Sequence, residues 1–292
     1  MTKKRGLKRT RQLSTKKKKR IIKKVNAEAK LNNLSHILKS YDKALVAFSG
    51  GLDSTFLLNV VHNTLKDNMT AVTFNSPIFP REENIFTLEF CKKNGINHNI
   101  INIDILGNTE FVSNKIDRCY TCKRILFENC LKLGEKLGIT TVCEGSVLDD
   151  YDDYRPGMKA IKELGVKSPL IEARLLKEDI RFLSKDMGLS TWDKPSMACL
   201  ASRFPYNMKI NEKQLKMVEE AELFIMKLGF SCVRVRLHDD IARIEVSPED
   251  ITKITAPDLR EEIDNKLSQL GFTYITLDLK GYHTGSMNLT II

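Results

Sequence analysis

Two groups of residues in this chain have types and spacings that can do chemistry. The first is Ser49-Gly50-Gly51-Leu52-Asp53-Ser54-Thr55. Glycines let a backbone approach a ligand closely, and the free N–H groups at a helix start point at negative charge. Ser49, Ser54 and Thr55 add hydroxyl donors. No Lys follows the glycines, so this is not the G-x-x-x-x-G-K-[ST] loop that holds β- and γ-phosphates. The second group is sulfur. Cys119 and Cys122 stand three apart in Asp117-Arg118-Cys119-Tyr120-Thr121-Cys122-Lys123, and Cys199 stands alone in Lys194-Pro195-Ser196-Met197-Ala198-Cys199-Leu200-Ala201-Ser202-Arg203. Two thiols at a helix start lie close together, and the helix dipole is expected to lower their pKa. A C-x-x-C can be a redox pair, half a zinc site or part of an iron–sulfur site. A structural zinc site normally closes with four protein ligands, and no second C-x-x-C is present. Three cysteines fit a [4Fe–4S] cluster with one open iron.

The elements that must position these groups follow from periodicity. The apolar run Lys43–Phe48 reads as a strand, and Phe56, Leu57, Val60, Val61 and Leu65 recur at helical spacing behind the glycines. Strands are expected over Met69–Asn75, His98–Ile105 and Thr140–Cys143, with helices over Arg81–Lys93 and Thr121–Leu137 closed by Gly95 and Gly138. Such alternation predicts an α/β fold whose parallel sheet carries helices on both faces. Ligands then bind beyond the carboxyl ends of the strands, where Ser49, Asn75-Ser76 and Glu144-Gly145-Ser146 would gather. Composition turns to loop near Pro195–Tyr206. Beyond it come a helix over Glu212–Leu228, strands over Cys232–Leu237 and Ile241–Val246, helical stretches over Glu249–Ile254 and Asp258–Leu270, and a last strand over Thr273–Leu279. The expected division is a basic tail (1–26), an α/β domain (27–206) and a small α+β domain (207–292).

Charge is unevenly placed. The net charge is +10, yet residues 1–24 hold thirteen Lys and Arg and no acid, which leaves the remainder at −3. That tail is expected to be disordered, and nucleic acid is expected to bind, if at all, only through it. No apolar run reaches the length of a membrane span and the basic start lacks a signal-peptide core, so the chain reads as cytoplasmic, with no membrane partner. Its seven cysteines are then core thiols, metal ligands or catalytic groups rather than disulfides. Cys91, Cys130, Cys143 and Cys232 read as small buried hydrophobes.

The glycine loop resembles the S-G-G-x-D-S pyrophosphate loop (PP-loop) of the ATP pyrophosphatases, which cut ATP to AMP and pyrophosphate by adenylating a substrate. Together with R-C-Y-x-C-K, R-P-G at Arg155–Gly157, A-C-L-A-S-R-F-P-Y and the terminal G-Y-x-T-G-S-M-N, it makes residues 30–292 similar to the LarE family, ATP-dependent sulfur transferases of nickel-pincer nucleotide biosynthesis. The resemblance implies a PP-loop pyrophosphatase domain followed by a substrate-binding and oligomerisation domain. It implies ATP over Ser49, Gly50, Gly51, Asp53, Ser54 and Thr55, with adenine near Ser76 and Mg²⁺ near Asp53. The substrate would be a pyridinium mononucleotide whose carboxylates become thiocarboxylates. Sulfur would come from Cys199, sacrificed to dehydroalanine, or from a [4Fe–4S] cluster held by Cys119, Cys122 and Cys199.

Arg234 and Arg236 alternate on a predicted strand and so share one face, which suits a phosphate or carboxylate. The family pattern has arginines there for the substrate phosphate. Arg203 could orient an anionic substrate, while Glu222 fits either that site or a solvated helical face. The chain departs from the family pattern at His283, where an arginine is expected. A tRNA thiolase and an ammonia-using synthetase share the same core. The acidic remainder argues against the first, and the second leaves Cys119, Cys122 and Cys199 unexplained. A non-catalytic RNA- or nucleotide-binding adapter is a further alternative, disfavoured by the intact loop. The family precedent also points to a homo-oligomer.

Overall fold

The computed structural model describes residues 22–151, 156–195, 197–283 and 285–286. Residues 22–39 form a helix, α1, which buries Ala27, Leu34 and Leu38 completely. Residues 22–26, assigned to the tail on charge alone, are therefore helical. The apolar stripe of α1 and the ion pairs Lys23–Glu178 and Lys30–Asp179 hold it to the body. Residues 1–21 of the tail lie outside the described residues.

Four strands, β1 (Ala44–Ala47), β2 (Met69–Asn75), β3 (His98–Asn102) and β4 (Thr141–Cys143), form a parallel sheet in the order β3-β2-β1-β4. Central β1 is a continuous apolar run because helices cover both faces of a parallel sheet. Helices α2 (Leu52–Leu65), α3 (Arg81–Asn94), α4 (Thr109–Val112) and α5 (Arg118–Leu137) lie between these strands. After β4 come α6 (Gly157–Glu163), α7 (Pro169–Glu172) and α8 (Lys177–Asp186). Ala44 of β1 is in register with both Met69 and Thr141, so the loops after β1, β2 and β4 emerge side by side.

The second sheet follows α9 (Glu212–Lys227). Strands β5 (Val233–His238) and β6 (Ile241–Val246) pair antiparallel. After α10 (Ile251–Ile254) and α11 (Pro257–Leu270), β7 (Tyr274–Leu277) joins β6 in parallel. One apolar cluster spans both parts: Ile78, Ile103, Ile105 and Leu126 pack with Leu200, Phe204, Leu215, Val235 and Ile244. That explains why β3 stops at Asn102 rather than Ile105. The Ile103 amide makes a last bond to the Asn75 carbonyl at 2.9 Å, after which Ile103 and Ile105 join the shared core. Among the described residues no helix is long and apolar enough to cross a membrane.

Candidate active site

The glycine loop joins β1 to α2 as a built anion cradle. Gly50 has φ +78°, a conformation that glycine adopts without steric cost, and a Cβ there would lie 2.7 Å from Glu83 Oε2. Gly51 caps α2 without a side-chain hydrogen bond, and first-turn amides have no intrahelical acceptor. Ser49 and Ser54 hydroxyls lie 3.1 Å apart, and Ser54 Oγ also accepts from the Ser49 amide at 3.3 Å. Thr55 does not face the cleft. It is fully buried, and its Oγ1 donates to the Gly51 carbonyl at 2.7 Å, so it shapes the loop from behind. The loop after β4 closes on the same place, since a Cβ on Gly145 would meet Ser54 N and Cα at 3.1 Å. Ser76, at the end of β2, is buried with its hydroxyl unpartnered.

Two lysines outside the motif bring positive charge to this loop. Lys177, at the start of α8, pairs with Asp53 Oδ2 at 3.3 Å. Burial raises the Asp53 pKa, Lys177 opposes the rise and Asp150 adds to it. Asp53 Oδ1 is buried without a hydrogen-bond partner, which suits a cation ligand. Lys194 Nζ lies 3.1 Å from the Gly50 carbonyl and 2.7 Å from Glu83 Oε2.

The three motif cysteines come near one another in the fold. Helix α5 starts at Arg118, so Cys119 and Cys122 occupy its first two turns, and Cys199 lies close enough to act electrostatically on both. The expected lowering of their pKa by the helix dipole does not hold. Desolvation, and then Cys199, push both thiols upward, although Cys119 still has exposed surface and Cys122 is only partly covered. Desolvation of a thiolate outweighs a terminal partial charge that fades within one turn. Arg118 binds the two sulfur elements together: its Nη1 donates to the Ala201 carbonyl at 2.9 Å and to Asn114, and its Nη2 lies 4.0 Å from Cys119 Sγ. Burial works against its charge, but the Cys199 and Cys119 sulfurs outweigh burial and raise its pKa. As expected, Cys91, Cys130 and Cys143 are buried core thiols, whereas Cys232 is only partly buried.

The Cys199 segment is fixed on its other side by charge. Arg203 has no exposed surface and grips Glu222, 2% exposed, with two parallel bonds of 2.8 Å. Its Nη1 reaches the Ala198 and Cys199 carbonyls at 2.9 and 3.2 Å. Glu222 also accepts from the Val235 amide at 2.9 Å, which rules out a solvated helical face for it. Arg234 and Arg236 are buried as well. Arg234 lies 5.0 Å from the Tyr282 ring centroid and near Met197 Sδ, its pKa lowered by burial and then by Arg203. Arg236 donates to the Ser202 carbonyl at 3.0 Å, Glu245 at 2.8 Å and Ser286 at 2.9 Å. His283 turns its Nδ1 to the Gly281 carbonyl at 3.3 Å.

Known proteins carry the same pattern. The family model for the queuosine biosynthesis protein QueC matches residues 43–117, the stretch from β1 to the start of α5. The pyridinium-3,5-bisthiocarboxylic acid mononucleotide synthase of Lactiplantibacillus plantarum is 36% identical over 255 residues, 87% of this chain and 92% of that protein. The chain belongs to the LarE family. It is an ATP-dependent sulfur transferase by that membership. Uncharacterized proteins of Synechocystis sp. and Methanocaldococcus jannaschii are 39% and 30% identical, over 89% and 87% of this chain and 97% and 95% of their own lengths.

In this LarE-family chain the structure brings Ser49, Gly50, Gly51, Asp53, Ser54 and Ser76 to the strand ends, and places Cys119, Cys122 and Cys199 near one another. Arg203, Glu222, Arg234 and Arg236 form one buried group. Sequence reasoning missed Arg118, Lys177, Lys194, Glu83 and Glu245. Arg118 and Lys194 stood inside motifs already singled out, R-C-Y-x-C-K and K-P-S-M-A-C, so their position was a usable signal. Glu83 and Glu245 carried none.

Proposed function

We propose that this enzyme adenylates a carboxylate of a pyridinium mononucleotide and converts it to a thiocarboxylate. The reading rests above all on the convergence at one segment. Residues 194–203 touch the nucleotide loop through Lys194 and the loop after β2 through the Leu200 amide, 2.8 Å from the Ile78 carbonyl. They touch the cysteine helix through Arg118 and carry Cys199 itself. Ser49, Gly50, Gly51, Ser54 and Ser76 hold ATP, Thr55 supports the loop, and the orphaned Asp53 oxygen meets Mg²⁺. A carboxylate oxygen of the substrate attacks the α-phosphorus, the α–β phosphoanhydride bond breaks, and pyrophosphate leaves with its electron pair. A sulfur nucleophile then attacks the acyl carbon and expels AMP. Arg234 and Arg236 receive the substrate phosphate, while Arg203 and Glu222 hold the Cys199 segment in register.

Two sulfur sources fit the residues. Cys199 as direct donor forms a thioester. Loss of its Cα proton and breakage of its Cβ–S bond then release the thiocarboxylate and leave dehydroalanine. Alternatively Cys119, Cys122 and Cys199 hold a [4Fe–4S] cluster, which when bound supplies an activated sulfide. The donor set favours the cluster, since a sacrificial thiol needs no partner cysteines, and Arg118 lies beside sulfur rather than a carboxylate among the described residues. No His, Cys, Asp or Glu group among the described residues is gathered for a single metal ion, and a polynuclear cluster spans a wider set of ligands. Residues 27–206 then form the nucleotide part and 207–292 the substrate and assembly part of a homo-oligomer.

The test is iron and acid-labile sulfide in protein purified without oxygen, beside Cys119→Ala. About four irons per chain in the native protein, lost in the variant, are expected. An iron-free native protein sinks the cluster. Cys199 lighter by one H₂S after reaction with ATP and substrate then identifies the sacrificial route.

A further inference from the structure

Lys194 lies outside the glycine loop in sequence, yet its ammonium rests on it. Nζ stands 3.1 Å from the Gly50 carbonyl, 2.7 Å from Glu83 Oε2 and 4.6 Å from the Phe86 ring centroid. The main chain at this point is clamped separately. Arg181 donates to the Trp192 and Lys194 carbonyls at 2.8 and 3.1 Å, tying the segment to α8. The backbone is thus fixed while the side chain, 25% exposed, remains open to the cleft.

The loop itself contains no cation, and the end of a helix supplies only about half a charge. A nucleotide polyphosphate needs more than that. Among the described residues, Lys177 and Arg181 act on Asp53, and Lys194 sits on Gly50 and Glu83. Lysine is a compact point charge on a flexible stem with three donors, so Nζ can exchange one oxygen ligand for another without backbone movement. Glu83, packed against Gly50, is the ligand it holds before nucleotide arrives.

We propose that Lys194 is the residue that binds the pyrophosphate end of the nucleotide, leaving Glu83 to do so. As the α–β bond breaks, the electron pair passes to the pyrophosphate oxygen, and the Lys194 charge stabilises it without transferring a proton. Lys194 also begins the segment that carries Cys199, so leaving-group binding and the sulfur residue share one stretch of backbone. The assignment rests on the adenylation reading above.

Inorganic pyrophosphate is the probe, titrated calorimetrically into the full chain, with pyrophosphate release from ATP and substrate measured alongside. Lys194→Met should weaken pyrophosphate binding by about 10–100-fold, the weight of one charge-assisted contact, and leave AMP binding unchanged. Lys194→Arg should retain most of the affinity. Glu83→Gln should tighten pyrophosphate by removing the competing partner, and that gain should vanish in Glu83→Gln/Lys194→Met, which keeps the test decisive if one variant folds poorly. Native-like pyrophosphate affinity in Lys194→Met, or an undiminished gain in the double variant, overturns the assignment. A native enzyme that binds pyrophosphate through Lys194 but releases none from ATP and substrate refutes the adenylation reading and leaves the site standing.

Discussion

Replacing Glu222 by Gln tests whether the buried charge group fixes the Cys199 segment. Glu222 accepts both guanidinium bonds of Arg203 at 2.8 Å and the Val235 amide at 2.9 Å. Arg203 is wholly buried, with Arg234 close enough to be destabilised by its charge. Glutamine keeps the size but turns one acceptor into a donor and strands a buried cation. Breaking such a pair costs roughly 3–5 kcal/mol. At roughly 2–4 °C per kcal/mol for chains somewhat shorter than this one, the melting temperature should fall by about 6–20 °C. The double variant Arg203→Met/Glu222→Met removes both charges and should regain much of that loss. It cannot restore the donors to the Ala198 and Cys199 carbonyls, so pyrophosphate release should recover with folding while thiocarboxylate formation stays low. Thermal unfolding and the two product assays separate these effects. A Glu222→Gln protein melting within about 2 °C of native, or a double variant with native sulfur transfer, refutes the reasoning.

Two further outcomes follow from burial and close approach. Gly145→Ala places a methyl 3.1 Å from Ser54 N and Cα, so the loop after β4 must move off the start of α2. Destabilisation of about 1–3 kcal/mol is expected from such overpacking, with a raised KM for ATP, and a native KM would remove Gly145 from the site. Cys130, fully buried, has a pKa pushed up to about 12 by burial. Its folded value exceeds the unfolded one near 8.5, so the native state holds the proton longer and stability falls as pH rises from about 8.5 to 12. Cys130→Ala removes that slope: the stability gap between native and variant should narrow by about 1.4 kcal/mol per pH unit above pH 9, and parallel urea-denaturation curves at pH 8 to 10 would contradict it.

The parallel sheet and its ligand end were legible because their signals are local. The apolar run of β1, the glycines behind it and the helical repeat of α2 all lie within residues 43–65. Gly95 and Gly138 marked two helix ends by the left-handed conformation each adopts, φ +64°. Where the outcome depended on partners distant in sequence, the pattern misled or did not decide. Ile103 and Ile105 looked like strand residues, but the second part of the chain supplies the core that draws them in. From sequence alone Glu222 fits either the substrate site or a solvated helical face, because its partners Arg203 and Val235 stand 19 and 13 positions away. The cysteine pKa shifts failed for the same reason. The helix dipole is written in the sequence around Cys119, whereas Cys199 and the surrounding chain that act against it arrive from elsewhere in the fold.

On the proposal that Cys199 serves sulfur transfer, its position explains how a sulfur residue can meet a substrate activated on a different strand end. A thiol at the tip of a free loop would lose conformational entropy each time it met an acyl adenylate, and that loss would enter the barrier. Here the loop has few degrees of freedom left. Its start is clamped to α8 by Arg181, its middle is bonded to Ile78 and Arg118, and its end is locked by Arg203 into Glu222. Arg181 and Ile78 belong to the nucleotide side, Arg118 to the cysteine helix and Glu222 to helix α9 of the second part. Each anchor is a hydrogen bond to backbone or a buried ion pair, so each fixes the main chain rather than the reactive side chain. Pre-organisation of this kind leaves the Cys199 sulfur, only partly buried, as the element free to move. It also requires the second part of the chain to be folded against the first before sulfur can be delivered, because Glu222 belongs to α9. Truncation near residue 206 would therefore remove sulfur transfer even if the glycine loop still bound ATP.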